Sequence, residues 1–218
     1  MSKTDFKKSL DSYAAKRDRF SIVDVPPLQY LMVDGHGDPN SAQEYTDAIA
    51  SLYPVAYALK TASKESLGKD YVVTPLEALW WATDMDVFTT NRDKSQWRWT
   101  AMIMVPDWID RSMFDAAVAA VRTKKRPVSL DLVRLETLIE GRCVQRLHVG
   151  PYAEEETVLA ELHERFIPDN GLEMTGKHHE IYLSDARRVE PSKLRTILRQ
   201  PVVSTQPVQA ASGEPPSL

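Results

Sequence analysis

The chain has 218 residues, 43% hydrophobic and 27% charged, an ordinary globular composition that excludes a disordered protein. Its formal charge of −4 gives no electrostatic footprint for general binding to nucleic acid or anionic membranes, and no apolar run approaches the ~20 residues that span a bilayer. Cys143 is the single cysteine, which excludes an intrachain disulfide, argues against a thiolate metal site and leads to the expectation of a reducing, cytoplasmic setting.

In chain order, Phe6, Leu10 and Tyr13 recur at helical spacing and predict a short amphipathic helix in an N-terminal extension, residues 1–19. Residues 20–25 read as a strand, Pro26-Pro27 breaks it, and residues 28–33 make a second extended run. The following Asp34-Gly35-His36-Gly37-Asp38-Pro39 lacks the lysine and spacing of a phosphate loop, so it reads as a turn into a helix. Ser41 is the expected N-cap, with Glu44 at the capping-box position. Tyr45, Ile49, Leu52, Ala56 and Leu59 form the apolar face, and Pro54 predicts a kink.

Residues 71–82 read as an aromatic strand and residues 83–95 as a polar connection around Phe88. Residues 97–105 predict a strand with bulk on both faces: Trp97, Trp99, Ala101 and Ile103 on one, Arg98, Thr100, Met102 and Met104 on the other. Such a strand belongs in the middle of a sheet covered on both sides. A helix from about Asp110 carries Phe114, Val118 and Val121, and its cationic end, Lys124-Lys125-Arg126, suits the helix dipole. Residues 132–138 and 142–149 are strand-like and are expected to pair as a hairpin through Glu140-Gly141, with Cys143 a small core hydrophobe. After Gly150-Pro151-Tyr152 comes a helix with Val158, Leu162 and Phe166 on one face and Glu154, Glu155 and Glu156 at its positive end. Asn170-Gly171 turns the chain towards the next strand. A short helical segment at residues 191–197, a final run at 198–203 and a disordered tail at 204–218 complete the reading.

The most informative stretch is Gly176-Lys177-His178-His179-Glu180-Ile181-Tyr182-Leu183-Ser184-Asp185. Ile181 and Leu183 alternate with Glu180, Tyr182 and Ser184, the period of a half-buried strand, so Glu180 and Tyr182 share a face with His178. His179 points with Ile181 and reads as a satisfied core histidine. Thr74-Pro75-Leu76-Glu77-Ala78-Leu79-Trp80-Trp81 again places a glutamate ahead of a large side chain. The two halves of the chain share an order: a strand ending at glycine, a helix acidic in its first turn, then a strand with Glu and an aromatic. Gly37 corresponds to Gly150 and Glu77 to Glu180. Two α+β halves, about 20–126 and 127–203 of one domain at 20–203, are expected to pair about a pseudo-twofold axis with a ligand cleft between them.

Trp80 and Trp81 cannot face the same side. By the echo with Tyr182, Trp81 is assigned to the groove with Glu77, and Trp80 to the opposite layer. Trp99, Tyr57 and Tyr152 are the other candidate walls. There is no Gly-x-Ser-x-Gly elbow and no Gly-x-Gly-x-x-Gly turn, so neither an α/β-hydrolase nor a dinucleotide enzyme is expected; adjacent strand histidines diverge, so no metal is expected either.

With Val25-Pro26-Pro27 through Asp34-Gly35, Leu76-Glu77-Ala78-Leu79-Trp80-Trp81, Trp97-Arg98-Trp99 through Met102-Ile103-Met104, Leu147-His148-Val149-Gly150-Pro151-Tyr152, the stretch 176–185 and Ile197-Leu198-Arg199-Gln200-Pro201-Val202, the chain resembles GyrI-like small-molecule-binding proteins. The kind it resembles stands alone, without a DNA-binding domain. It departs from the group's pattern at Ala186, where proline is usual, and at Pro54. The resemblance implies duplicated β-α-β-β halves, an antiparallel sheet and a central ligand groove whose glutamate, at Glu180, helps bind planar aromatic compounds. A stand-alone subfamily resembling this chain hydrolyses cyclopropane-bearing DNA-alkylating compounds through an aromatic cage. On that reading Glu180 is the general base, Tyr182 positions water or polarises a carbonyl, and Glu77, Trp81, Trp99, Tyr57, Tyr152 and His178 bind the ligand. A non-catalytic binder is the alternative. The expected partner is a small aromatic molecule, with neither nucleic acid nor membrane, and a monomer is the expected state.

Overall fold

The computed structural model describes residues 3–82 and 94–205. Its strands are β1 (Ser21–Val25), β2 (Leu28–His36), β3 (Leu76–Trp81), β4 (Arg98–Val105), β5 (Arg134–Leu138), β6 (Gly141–Val149), β7 (Leu172–Met174), β8 (His178–Tyr182) and β9 (Arg195–Ser204). They form a nine-stranded sheet of order β1-β6-β9-β8-β3-β4-β2-β5, with β7 on β9, and every pairing between strands is antiparallel. The helices are α1 (Phe6–Ser9), α2 (Gln43–Leu67), α3 (Arg111–Lys124), α4 (Glu155–Glu161) and α5 (Ile167–Asp169), the last two joined by a π-helical turn over Leu162–Phe166. This is the expected α+β class. The first half runs β2-α2-β3-β4; the second runs β6-α4-α5-β7-β8-β9, with β7 an extra strand paired to β9, and the two sets meet where β3 pairs with β8.

Burial on both faces of β4 follows from its place between β3 and β2. Trp99, Ala101, Ile103 and Val105 pack under α2 and α3 with Leu52, Val55, Leu59 and Phe114, while Met102 and Met104 join Tyr13, Tyr30 and Ile197 on the opposite face. That opposite face is covered by the N-terminal extension, with Phe6 and Leu10 packed against it. A third cluster, built on Phe20, Val144, Leu162, Ile167 and Val202, anchors α4 and α5 to the other half of the sheet. These helices and α2 therefore share a face of the sheet.

The expected β5/β6 hairpin does not form. β5 pairs with β2, and β6 pairs with β1 and β9. Gly141 has the left-handed backbone a turn would use, with φ +66, but the chain does not fold back there. Instead β1 runs on into β2 through Pro26-Pro27, and β5 into β6 through Ile139-Glu140, and the two pairings share one register: from Val25↔Gly141 to Leu28↔Leu138 each strand advances by three residues. Together they make one long two-stranded ribbon, bent at the prolines. In the sheet path β1 and β2 stand six places apart. Laid flat that is about 29 Å at the usual strand spacing, whereas the link from Val25 to Leu28 spans at most about 11 Å. The sheet must therefore curl.

Smaller differences are local. The N-cap of α2 is Ala42, not Ser41, because Asp38 already organises that turn by accepting the Ser41 and Ala42 amides on its carbonyl and the Asn40 amide on its side chain. The helix continues on both sides of Pro54. Tyr71 lies before β3, in an isolated bridge with Thr4. Helical structure near residue 191 stops at Lys193, and β9 begins at Arg195. The ordered chain reaches past residue 203, since Ser204 ends β9 and Thr205 donates to the Gly171 carbonyl. The expected connection around Phe88 and the rest of the tail lie outside the described residues.

Candidate active site

The register of the central pair decides which side chains meet. Ala78↔Glu180 and Trp80↔His178 are opposite one another, so Glu180, Tyr182, His178 and Trp80 face the helices, while Glu77, Leu79, Trp81, His179 and Ile181 face the N-terminal extension. Tyr182 Oη donates to Glu180 Oε2 at 2.6 Å, and Trp80 Nε1 donates to Tyr182 Oη at 3.2 Å. The expected pairing of Glu180 with Tyr182 is therefore in place, but the tryptophan beside it is Trp80 and not Trp81. Sequence alternation separates the two indoles without saying which belongs to which face.

Aromatic rings build the walls. Tyr45 of α2 lies 5.8 Å from Trp80 and 4.9 Å from Trp99 between ring centroids; Trp97 stands edge-on to Trp80 at 5.6 Å; Tyr152 stands edge-on to Tyr182 at 5.7 Å. Trp99 is on this face, as expected, but is fully buried. It fits against β2 because its register partner is Gly35, where a Cβ would stand 2.2 Å from the indole. Tyr57 is 56% exposed and stacks on Tyr53, so the α2 ring that reaches Glu180's neighbourhood is Tyr45.

A second acid completes the site. Glu155, at the start of α4, is 5% exposed, with Thr196 beside it. Burial pushes its carboxyl up to about 9, helped by the nearby Glu180 charge. Burial also raises Glu180, to about 7, against the hydrogen bonds from Tyr182 and Trp80 and the charge of His179. His178 Nε2 lies 3.7 Å from Glu180 Oε1, and burial drives the imidazole down to about 3, leaving it neutral. His163 Nε2 and both ring nitrogens of His178 are buried without a hydrogen-bond partner among the described residues. Such groups cost free energy unless something polar meets them, so they mark where a ligand's polar edge or a reacting water belongs. Two neighbouring carboxyls of raised and different pKa supply one proton acceptor and one proton donor near neutrality. Sequence reading placed Glu155 among acids favoured by a helix N-terminus; its burial depends on β8 and β9, which are distant in the chain.

Glu77 is the main correction. It is fully buried on the other face, accepting from Tyr13 Oη and, at 3.3 Å, from Tyr30 Oη. His179 bridges Glu77, 2.9 Å from Nε2, and Glu140, 2.9 Å from Nδ1, and Arg199 Nη1 donates to Glu140 at 2.9 Å. Despite burial, the His179 and Arg199 charges hold Glu140 down at about 2, and the two glutamates hold His179 above its ordinary value. Glu77 therefore belongs to a structural charge network, while its counterpart Glu180 is on the face covered by the helices. Among the described residues no group of His, Cys, Asp and Glu side chains could hold a metal ion, and no helix is long and apolar enough to cross a membrane.

A family model described as the GyrI-like small molecule binding domain matches residues 19–203, so the chain belongs to that family. An uncharacterized conserved protein from Listeria innocua is 41% identical, with TM-score 0.84, over 92% of this chain and 100% of its own. A hydrolase from the same organism is 38% identical, with TM-score 0.82, over 93% and 100%. The EcmrR C-terminal domain shares the fold alone, at 12% identity and TM-score 0.52 over 85% and 98%. A search of curated proteins finds no match.

Proposed function

We propose that this protein takes planar aromatic compounds into the groove between α2 and α4 and hydrolyses those carrying a cyclopropane conjugated to a dienone, a detoxifying reaction on DNA-alkylating xenobiotics. The observation that supports this reading best is the buried Glu155 and Glu180 pair against Tyr182 and an aromatic wall. Water attacks the cyclopropane methylene carbon as that carbon's bond to the ring system breaks. The released electron pair passes through the dienone to its oxygen. Glu180, as carboxylate, takes the proton from water, and protonated Glu155 gives one to the dienone oxygen, so the products are an alcohol and a phenol and the net addition is one water. Tyr182 orients Glu180, and the rings of Trp80, Tyr45 and Tyr152 hold the flat substrate, at about 0.5–1.5 kcal/mol per aromatic contact.

A carboxylate ringed by aromatic side chains also suits a bound cation, which supports a second reading as a sequestering protein. One experiment separates them. A cyclopropane-bearing alkylator is incubated with a hundredth part of wild-type protein or of Glu180→Gln, and the ring-opened product is followed by mass spectrometry. Multiple turnovers by the wild type and their loss in the variant support hydrolysis with Glu180 as base. Protection that stops at one molecule per chain supports sequestration, and equal turnover by both proteins removes Glu180 from the mechanism.

A further inference from the structure

A cleft of about 540 Å³ opens on the face of the sheet opposite Glu180, lined among others by Asp34, His36, Trp81, Gln96 and Arg98. Register explains its position. Arg98 lies opposite Trp81 on one side and His36 on the other, so these side chains emerge together at one end of β2, β4 and β3. The Trp81 indole is half-buried, and Lys177, just before β8, sets its ammonium 3.1 Å from the ring centroid.

Among the described residues the charges around this indole do not balance. Asp34 is the acid among the described lining residues, and its Oδ1 already accepts from Thr100 Oγ1 at 2.6 Å and Arg134 Nη2 at 2.9 Å. His36 is paired with Glu44 at 3.1 Å. Lys177 is partly desolvated, which lowers its pKa, and its contact is with a ring rather than a carboxylate. Arg98 is exposed, and its guanidinium has no ion-pair partner among the described residues. In a chain of net charge −4, the Trp81 indole is thus flanked by two cations, neither of which forms an ion pair with a carboxylate among the described residues.

We propose that this cleft is a second binding site, for planar aromatic carboxylates, in which the ring stacks on Trp81 while Arg98 and Lys177 take the carboxylate. The guanidinium offers a bidentate fork to a carboxylate, and Lys177 exchanges a cation–π contact for an ion pair. A cationic aromatic would meet like charge here, and a neutral one would gain the stack alone. The two sites therefore select by charge in opposite senses, with the acids of the groove on one face and the cations of the cleft on the other. The sheet separates them, so both can be filled at once.

The test is titration of the full chain with 2-naphthoate, followed by NMR, in wild type, Arg98→Gln, Trp81→Leu and Glu180→Gln. Arg98 is exposed, so its variant changes charge without touching the core. Saturable binding is expected in the wild type and, with unchanged affinity, in Glu180→Gln. Arg98→Gln should bind about tenfold more weakly, Trp81→Leu should lose the site, and the neutral 2-naphthalenemethanol should bind the wild type at least about tenfold more weakly than the carboxylate. No saturable binding, equal affinity for the alcohol and the carboxylate, or an affinity altered by Glu180→Gln but not by Arg98→Gln would each overturn the proposal.

Discussion

Glu180 and Glu155 are set apart by what surrounds them, since burial raises one carboxyl to about 7 and the other to about 9. The proposed chemistry needs Glu180 ionised and Glu155 protonated. Its rate should therefore rise as the pH passes about 7 and fall as it passes about 9, the two limbs belonging to the interacting pair. Glu155→Gln should abolish the alkaline limb and slow turnover by about 10²- to 10⁴-fold, measured as a pH–rate profile of product formation. The tryptophans make a paired prediction. Trp80→Ala should weaken a planar aromatic cation such as ethidium about tenfold in calorimetric titration, and Trp81→Leu should change it less than about twofold, because Trp80 shares a face with Glu180 and Trp81 does not. That Glu180 and Tyr182 share a face was legible from strand alternation. Which indole joins them was not, since it depends on the register of β3 against β8.

Between elements, the most consequential contact is Glu140 at the bend from β5 to β6. A Glu-Gly pair between two strand-like runs signals a turn, yet here the carboxylate turns inward to His179 of β8 and Arg199 of β9. Arg199 also donates from Nε to Gln145 at 3.0 Å and from Nη2 to the Ser12 carbonyl, tying β6 and the N-terminal extension to the same cluster. Removing one member leaves buried charge unpaired, so Glu140→Ala should cost about 3–5 kcal/mol in urea unfolding at neutral pH. The sign of its pH dependence follows from the depressed pKa. The wild-type advantage is fully present above the ordinary carboxylate value of 4.5 and is lost as the pH falls towards about 2.

For the whole molecule, the ribbon formed by β1, β2, β5 and β6 matters more than either half. β1 lies beside β6 and β5 beside β2, so each half borrows an edge strand that is continuous with the other half. A fragment of residues 1–126 would lose β5 from β2 and β8 from β3, exposing two unpaired strand edges. Such a fragment should give no dispersed NMR spectrum and should aggregate. The intact chain should unfold in one transition, with tryptophan fluorescence and far-ultraviolet circular dichroism superimposing; separate transitions would mean that the halves are independent.

Legible in the sequence were most of the longer strands and helices, the α+β class and the alternation that puts Glu180 beside Tyr182 and turns His179 away, whereas the short strand β7 was not. These properties are local, carried by periodicity over a few residues and by prolines and glycines that stop a strand or helix. Tertiary structure alone decided that β5 and β6 part company, that Glu77 and Glu180 face opposite sides of the sheet, that Trp80 replaces Trp81 in the groove and that Glu155 is buried. Each depends on which distant strand or helix supplies the neighbour. Alternation assigns residues to two faces, but only packing decides which face meets the helices.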